Sequence, residues 1–281
     1  MNKKKYLTII LSLILLLTLI LVANANAKEE SVKNNDKLNL KIKQAKELEY
    51  NGTNKLLDKK IRKYYQDNKI IDDSKLNDLN SSEAKKLIKI IEQDMDEFDS
   101  KLINNKATND SSSVGTMSFG DEPPSGTNNI DYTYFEDADI ILVHDGTCAY
   151  GYWRHAGTYD ENKGEFVSAQ KNDVGNGTGV IWEDKNWYRN NYDEALGVWV
   201  VDYENEMRNE IRDMIMTTLK AQLGEPYALS SYWDTDSWYC SKLPWYGWRE
   251  HWSVNLNSDG GLCVPDDIDE CDETSRFAYS D

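Results

Sequence analysis

Leu196-Gly197-Val198-Trp199-Val200-Val201 and the stretch that follows, Glu204 to Leu223, change hydrophobic period within one segment. Leu196 to Tyr203 is rich in strand formers and reads as a buried strand. From Glu204 onward Met207, Ile211, Met214, Ile215, Thr218, Leu219 and Leu223 recur at three- and four-residue steps, the period of a helix, and Gly224 is a C-terminal stop. Upstream, Ala138 to Val143, Trp153 to Tyr159 and Gly164 to Gln170 read as three more strands, the last entered by an Asn162-Lys163-Gly164 turn that suits a hairpin. A second helix is expected near Cys240, after the Gly224-Glu225-Pro226-Tyr227 turn. The pattern is α+β, an antiparallel sheet packed on helices.

Around this domain, placed at residues 131–255, the composition changes four times. Residues 1–27 join a basic start, Lys3-Lys4-Lys5, to an apolar run from Tyr6 to Val22 and a small-residue cleavage site, Ala25-Asn26-Ala27, the pattern of a secretory signal peptide. Residues 28–103 contain no Pro, Trp or Cys and carry three amphipathic stripes, the longest being Leu87, Ile88, Ile91, Met95, Phe98 and Leu102, so a small helical region is expected there. Residues 104–130, rich in Asn, Ser, Thr, Gly and Pro, read as a linker. Residues 256–281 read as an acidic C-terminal tail with little periodicity.

The net charge is −17, with 32 basic and 49 acidic residues. Loss of Lys3, Lys4 and Lys5 with residues 1–27 leaves 29 basic residues and makes it −20. A chain this acidic is repelled by nucleic acid and by anionic membrane, which excludes both as partners once the leader is gone. The expected location is extracellular, secreted or associated with the cell wall.

Two residues stand out chemically. Cys240 lies in Trp238-Tyr239-Cys240-Ser241-Lys242-Leu243 and His155 in Arg154-His155-Ala156-Gly157-Thr158-Tyr159. A thiol at the start of a helix, where the dipole favours a thiolate, and an imidazole on a strand are the smallest kit for acyl transfer. The backbone N–H of Cys240 would serve as an oxyanion donor. The duller alternatives are a core histidine satisfied by a carbonyl and a cysteine that is inert or half of a disulfide. His144 and His251 lack such a context. The spacing of His144, Cys148 and His155 fits no zinc pattern, so neither metal nor cofactor is expected. Among Cys148, Cys263 and Cys271, the last two bracket a short acidic loop and are the expected disulfide.

Five segments in order, Ala138 to Val143, His155 to Tyr159, Phe166 to Gln170, Leu223 to Tyr227 and Tyr239 to Leu243, resemble the permuted NlpC-type papain-like cysteine hydrolases, the YiiX- and YebB-like group. The resemblance covers roughly residues 136–250 and implies a circularly permuted papain-like domain with a Cys-His site, related to enzymes that cut peptide amides in bacterial cell walls. It also implies that Tyr227 faces the site as a second oxyanion donor, and that a polar residue on the strand after the histidine orients the ring. Ser168 holds that position. Gln170, two residues on and on the same strand face, is the preferred candidate. The chain departs from the family in Ala138, where Gly is usual, and in Pro244, expected to distort the first turn of the helix after Cys240.

The expected function is hydrolysis of an amide, in cell-wall peptides, through an acyl-enzyme on Cys240. The alternatives are an acyltransferase or lipid-directed amidase on the same fold, and a non-catalytic surface binding protein.

Overall fold

The computed structural model describes residues 36–109, 128–201, 208–257 and 260–281, and of residues 105–109 the backbone only. The signal-peptide stretch and most of the expected linker lie outside the described residues. The chain forms two compact units, residues 1–43 and 44–281. In the first, residues 36–43 are helical. Among the described residues no helix is long and apolar enough to cross a membrane.

The second unit begins with helical residues 44–50 (α1), followed by α2 (Thr53–Asp67) and α3 (Ser82–Asn109). Then come β1 (Ile140–His144), β2 (His155–Asp160), β3 (Glu165–Gln170), β4 (Gly179–Asp184), α4 (Lys185–Asn191), β5 (Glu194–Val200), α5 (Arg208–Lys220), α6 (Lys242–Trp252), α7 (Pro265–Glu270) and β6 (Thr274–Ser280). The six strands form one sheet in the order β4-β3-β2-β1-β5-β6, every pairing antiparallel. The α+β reading with an antiparallel sheet therefore holds.

Strand alternation gives the sheet two working faces. Ile140, Leu142, Ala156, Val167, Leu196 and Val198 point to one side and form the main core with Ile211, Ile215 and Leu219 of α5 and Leu243 and Trp248 of α6. Gly247 lets those two helices meet closely, since a Cβ there would sit 2.8 Å from Ile215 Cγ2. On the other face Phe135, Phe166, Tyr188 and Phe277 are buried, with neighbouring ring centroids 4.8–5.9 Å apart.

The structure differs from the sequence expectations in four places. The linker is shorter than residues 104–130: α3 continues to Asn109, and Asn128 is already buried, its Nδ2 donating to the carbonyls of Tyr188 and Tyr192 at 2.9 and 2.8 Å. Residues 256–281 are no loose tail, because β6 completes the sheet beside β5. Cys263 and Cys271 are free thiols, as are Cys148 and Cys240. Cys263 lies just before the N-cap of α7 and Cys271 is its C-cap, so the helix holds them about 12 Å apart at ~1.5 Å per residue, beyond disulfide reach. Pro244 is the third residue of α6, where a backbone N–H has no intrahelical partner in any case, and leaves the first turn intact.

Ala138 has φ 64°, the left-handed region that favours glycine. Neighbouring buried contacts fix this turn. Arg212 Nη1 of α5 donates to the Asp137 carbonyl at 2.6 Å and to Asp139 Oδ1 at 2.8 Å, and Asp139 Oδ2 accepts the Glu136 N–H at 2.8 Å. Both side chains of the ion pair are at most 3% exposed. Removing one partner breaks a buried ion pair. Asp139→Ala is expected to lower unfolding free energy by about 3–5 kcal/mol in urea titration, and a loss below about 1 kcal/mol would contradict this role for the pair.

Candidate active site

His155 is the first residue of β2, and its position on the sheet determines its partners. The register places Tyr159 opposite Phe166 and Phe166 opposite Glu183, so His155, Gly157, Ser168 and Glu183 lie on one face. The His155 ring reaches diagonally across that face. Its Nε2 lies 2.9 Å from Glu183 Oε2 and 3.1 Å from Ser168 Oγ. Ser168 spends its single hydroxyl proton on the Ala156 carbonyl at 2.6 Å, so toward the ring it accepts. Nε2 therefore carries a proton shared between Ser168 and Glu183, and Nδ1 is left for the thiol.

Glu183 is fully buried. Tyr188 of α4 donates its hydroxyl to Glu183 Oε2, and Asn176 Nδ2 reaches Oε1 at 3.5 Å. Gly157 makes the arrangement possible, because a Cβ at that position would lie 2.1 Å from the Tyr188 hydroxyl. Tyr188 and Tyr192 stack near the imidazole, with centroids 5.9 and 6.3 Å from it.

Cys240 arrives from α6, which packs on the opposite face of the sheet. The residues on either side of it are anchored to the backbone of one residue: Ser241 Oγ donates to the Cys263 carbonyl at 2.6 Å, and the Cys263 N–H donates to the Tyr239 hydroxyl at 3.1 Å. The Cys240 thiol and the His155 ring face one cavity and interact electrostatically. The two share one small cavity, of about 30 Å³, with Tyr150, Arg154, Gln170, Tyr192 and Tyr227 from the sheet domain and Met95, Phe98 and Asp99 from α3.

The structure thus brings together Cys240, His155, Ser168 and Tyr227 and places Gln170 beside them. The preference for Gln170 as the orienting residue needs correction. Its Nε2 points to Asp99 Oδ1 of α3, 3.5 Å away, while the ring is held by Glu183 with Ser168. Glu183 was missed because β4 was not read as a strand, although Gly179-Val180-Ile181-Trp182-Glu183 carries strand formers. Tyr227 is beside Cys240 because Pro226 and Ala228 exchange backbone hydrogen bonds with Trp238, both 3.0 Å. Its hydroxyl is directed at Met95 Sδ, 3.2 Å away.

One other group among the described residues has the makings of a metal site: His144, Asp193 and Glu194, whose ligand atoms lie within 4.8 Å of one another. Glu194 already receives Lys60 Nζ at 2.6 Å and the hydroxyls of Tyr152 and Tyr279, so the cation at this carboxylate is an ammonium.

No protein-family model and no curated protein matches the chain. Among solved structures it is similar to the crystal structure of the metalloprotein yiiX from Escherichia coli O157:H7, a DUF1105 protein. The identity is 16% and the TM-score 0.39, over 50% of this chain and 95% of that one.

The charge state of His155 follows from its neighbours. Burial alone would depress its pKa, but the Glu183 carboxylate and the Cys240 thiol outweigh burial and raise it from 6.5 to about 10. A group whose pKa is raised on folding contributes stability that is fully present below 6.5 and lost as the pH rises through about 10. NMR titration of the ring should therefore show a midpoint far above 6.5. In Glu183→Gln, where burial loses its main opponent, the midpoint should fall sharply and the decline in stability between neutral and alkaline pH should flatten. An unchanged midpoint in that variant would mean that Glu183 does not hold the ring.

Proposed function

We propose that this chain is a cysteine amidase of the permuted papain-like, NlpC type, acting on peptide amides of the cell wall through a Cys240 acyl-enzyme. The observation that carries the reading is the constellation: a thiol just ahead of a helix, in one cavity with an imidazole whose Nε2 is fixed by a buried carboxylate. The order of the five sequence segments supports the permuted papain-like reading. The leader read at residues 1–27 supports export to the substrate.

In this mechanism the Cys240 proton rests on His155 Nδ1, and the sulfur attacks the scissile carbonyl carbon as the thiolate of a thiolate–imidazolium pair. The oxyanion of the tetrahedral intermediate is met by the Cys240 backbone N–H and, once its hydroxyl leaves Met95, by Tyr227. Collapse breaks the C–N bond, and Nδ1 gives its proton to the leaving amine. Water then attacks the thioester with its proton going to Nδ1, the C–S bond breaks, the carboxylic acid is released, and the thiolate–imidazolium pair is restored. Glu183 keeps the Nε2 proton in place throughout and stabilises the imidazolium; Ser168 assists as a second acceptor.

Stem-peptide cleavage, followed by mass spectrometry with trapping of the acyl-enzyme, tests this. Cys240→Ala should abolish turnover, and His155→Ala should cost nearly as much, since the members of such a unit act together. Glu183→Ala should cost about 10²–10⁴-fold in kcat, as expected for a residue that sets the tautomer of the base. Ser168→Ala should cost less, and Gln170→Ala should leave kcat close to the parent value. Undiminished turnover in Cys240→Ala overturns the reading.

A further inference from the structure

We propose that α3 is an autoinhibitory segment: Met95, Phe98 and Asp99 fill the substrate cleft above Cys240 and His155, and its aspartates occupy the positions of an acidic substrate's carboxylates. The inference rests on the amidase reading of the same site and adds its regulation and its preference for acidic peptides.

The cleft is too small for its task while α3 is in place. About 30 Å³ admits little more than a water, whereas ligand pockets run to roughly 300–1,000 Å³. The space is taken by α3 side chains. Phe98 stacks on Tyr192 with centroids 5.8 Å apart and lies 4.1 Å from the Arg154 guanidinium, and Met95 accepts the hydroxyl of Tyr227, the expected oxyanion donor. A residue needed by the reaction is thus engaged by the helix that covers it.

The polar contacts of α3 with the cleft rim have one sign. Arg154 Nη1 meets Asp94 Oδ2 at 2.8 Å, and Lys171 meets Asp96 and, at 3.2 Å, the Glu92 carbonyl. Asn172 Nδ2 donates to Asp96 at 2.7 Å and Asp99 at 3.0 Å. Four neighbours of the catalytic pair, Arg154, Gln170, Lys171 and Asn172, all turn toward carboxylates of this one helix. With α3 withdrawn, two cations and two amides would border the thiol. That rim matches a peptide carrying free carboxylates.

The packing also makes α3 separable. Two of its buried residues, Ala84 and Ile91, belong to a satellite cluster with Leu76, Cys148, Tyr150 and Tyr239, distinct from the main core between the sheet, α5 and α6, and its buried Phe98 and Leu102 lie in neither. Lifting α3 opens the satellite cluster and uncovers Phe98 and Leu102 but leaves the main core packed, a local event with a free energy below that of global unfolding.

The four cysteines report on this directly. Cys148 lies in the satellite cluster; Cys240, Cys263 and Cys271 lie in the main core, where Cys240 and Cys263 line cavities that α3 covers and Cys271 does not. The full chain and its Asp94→Lys/Asp96→Lys variant would be treated with iodoacetamide, and labelling at each cysteine followed by peptide mass. In the parent, Cys240 should react slowly. In the variant, Cys240 and Cys148 should react together, about tenfold faster or more, with Cys271 still protected, because two reversed charges oppose Arg154 and Lys171. Asp94→Asn/Asp96→Asn should fall between the two. Turnover of an acidic stem peptide should rise with the labelling of Cys240. The proposal is overturned if parental Cys240 reacts as fast as a thiol in an unstructured peptide, if the reversed charges leave its rate unchanged, or if all four cysteines become reactive at one rate. Selective labelling of Cys240 and Cys148 with no amide turnover would support α3 as a cover and count against the amidase reading alone.

Discussion

The contact between Glu183 and His155 is the one on which the arrangement of this molecule depends. A carboxylate with no solvent exposure is costly to keep unless each oxygen is met, and here Tyr188, Asn176 and the imidazole meet them. Each partner imposes a requirement on the fold. Tyr188 must come from a short helix directly after β4, and Asp184 starts that helix by accepting the Asn186 N–H. The far end of α4 is held by Asn128, which bonds the carbonyls of Tyr188 and Tyr192. Gly157 must lack a side chain for the Tyr188 hydroxyl to fit.

The thiol is positioned by a separate set of bonds. Tyr239 and Ser241 grip the backbone N–H and C=O of Cys263, and Trp238 is paired with Pro226 and Ala228. The role of Cys263 is thus carried by its backbone, with its sulfur near the carbonyls of Leu256 and Val264. Cys240 and His155 reach the cavity from opposite faces of the sheet, so the site tests whether the whole sheet and helix layer has formed.

What the sequence reveals of this site follows from how local each feature is. The strands at β1, β2, β3 and β5 and the helices α5 and α6 have periodic patterns that need no tertiary information, and Cys240 and His155 are read from residue type and position. Glu183 was not legible. It acts on His155 across 28 positions, through a register set by two hairpins and a diagonal reach over Gly157. Gln170 looked better by strand periodicity alone, but α3 captures it through Asp99, and nothing in the local pattern announces a helix 71 positions upstream. The C-terminal strand was hidden for a different reason. Thr274 to Ser280 is an edge strand with several half-buried positions, and its polar sequence matches the protection that such edges need.

Arg154 and His155 are consecutive, yet strand alternation sends them different ways, and this separates the two states that the site needs. Arg154 holds the carbonyls of Asp145 and Thr147 in the β1–β2 loop and reaches out to Asp94 on α3. His155 takes its orienting contacts from Ser168 and Glu183, which owe nothing to α3. Withdrawal of α3 would remove one bond of Arg154, leave its two backbone contacts, and leave the imidazole where it is. Under the amidase proposal, a cover fastened through Arg154 and not through His155 itself allows the geometry of the pair to exist before substrate arrives. The energy of opening then falls on the rim contacts and the satellite cluster, with the bond between Glu183 and His155 untouched.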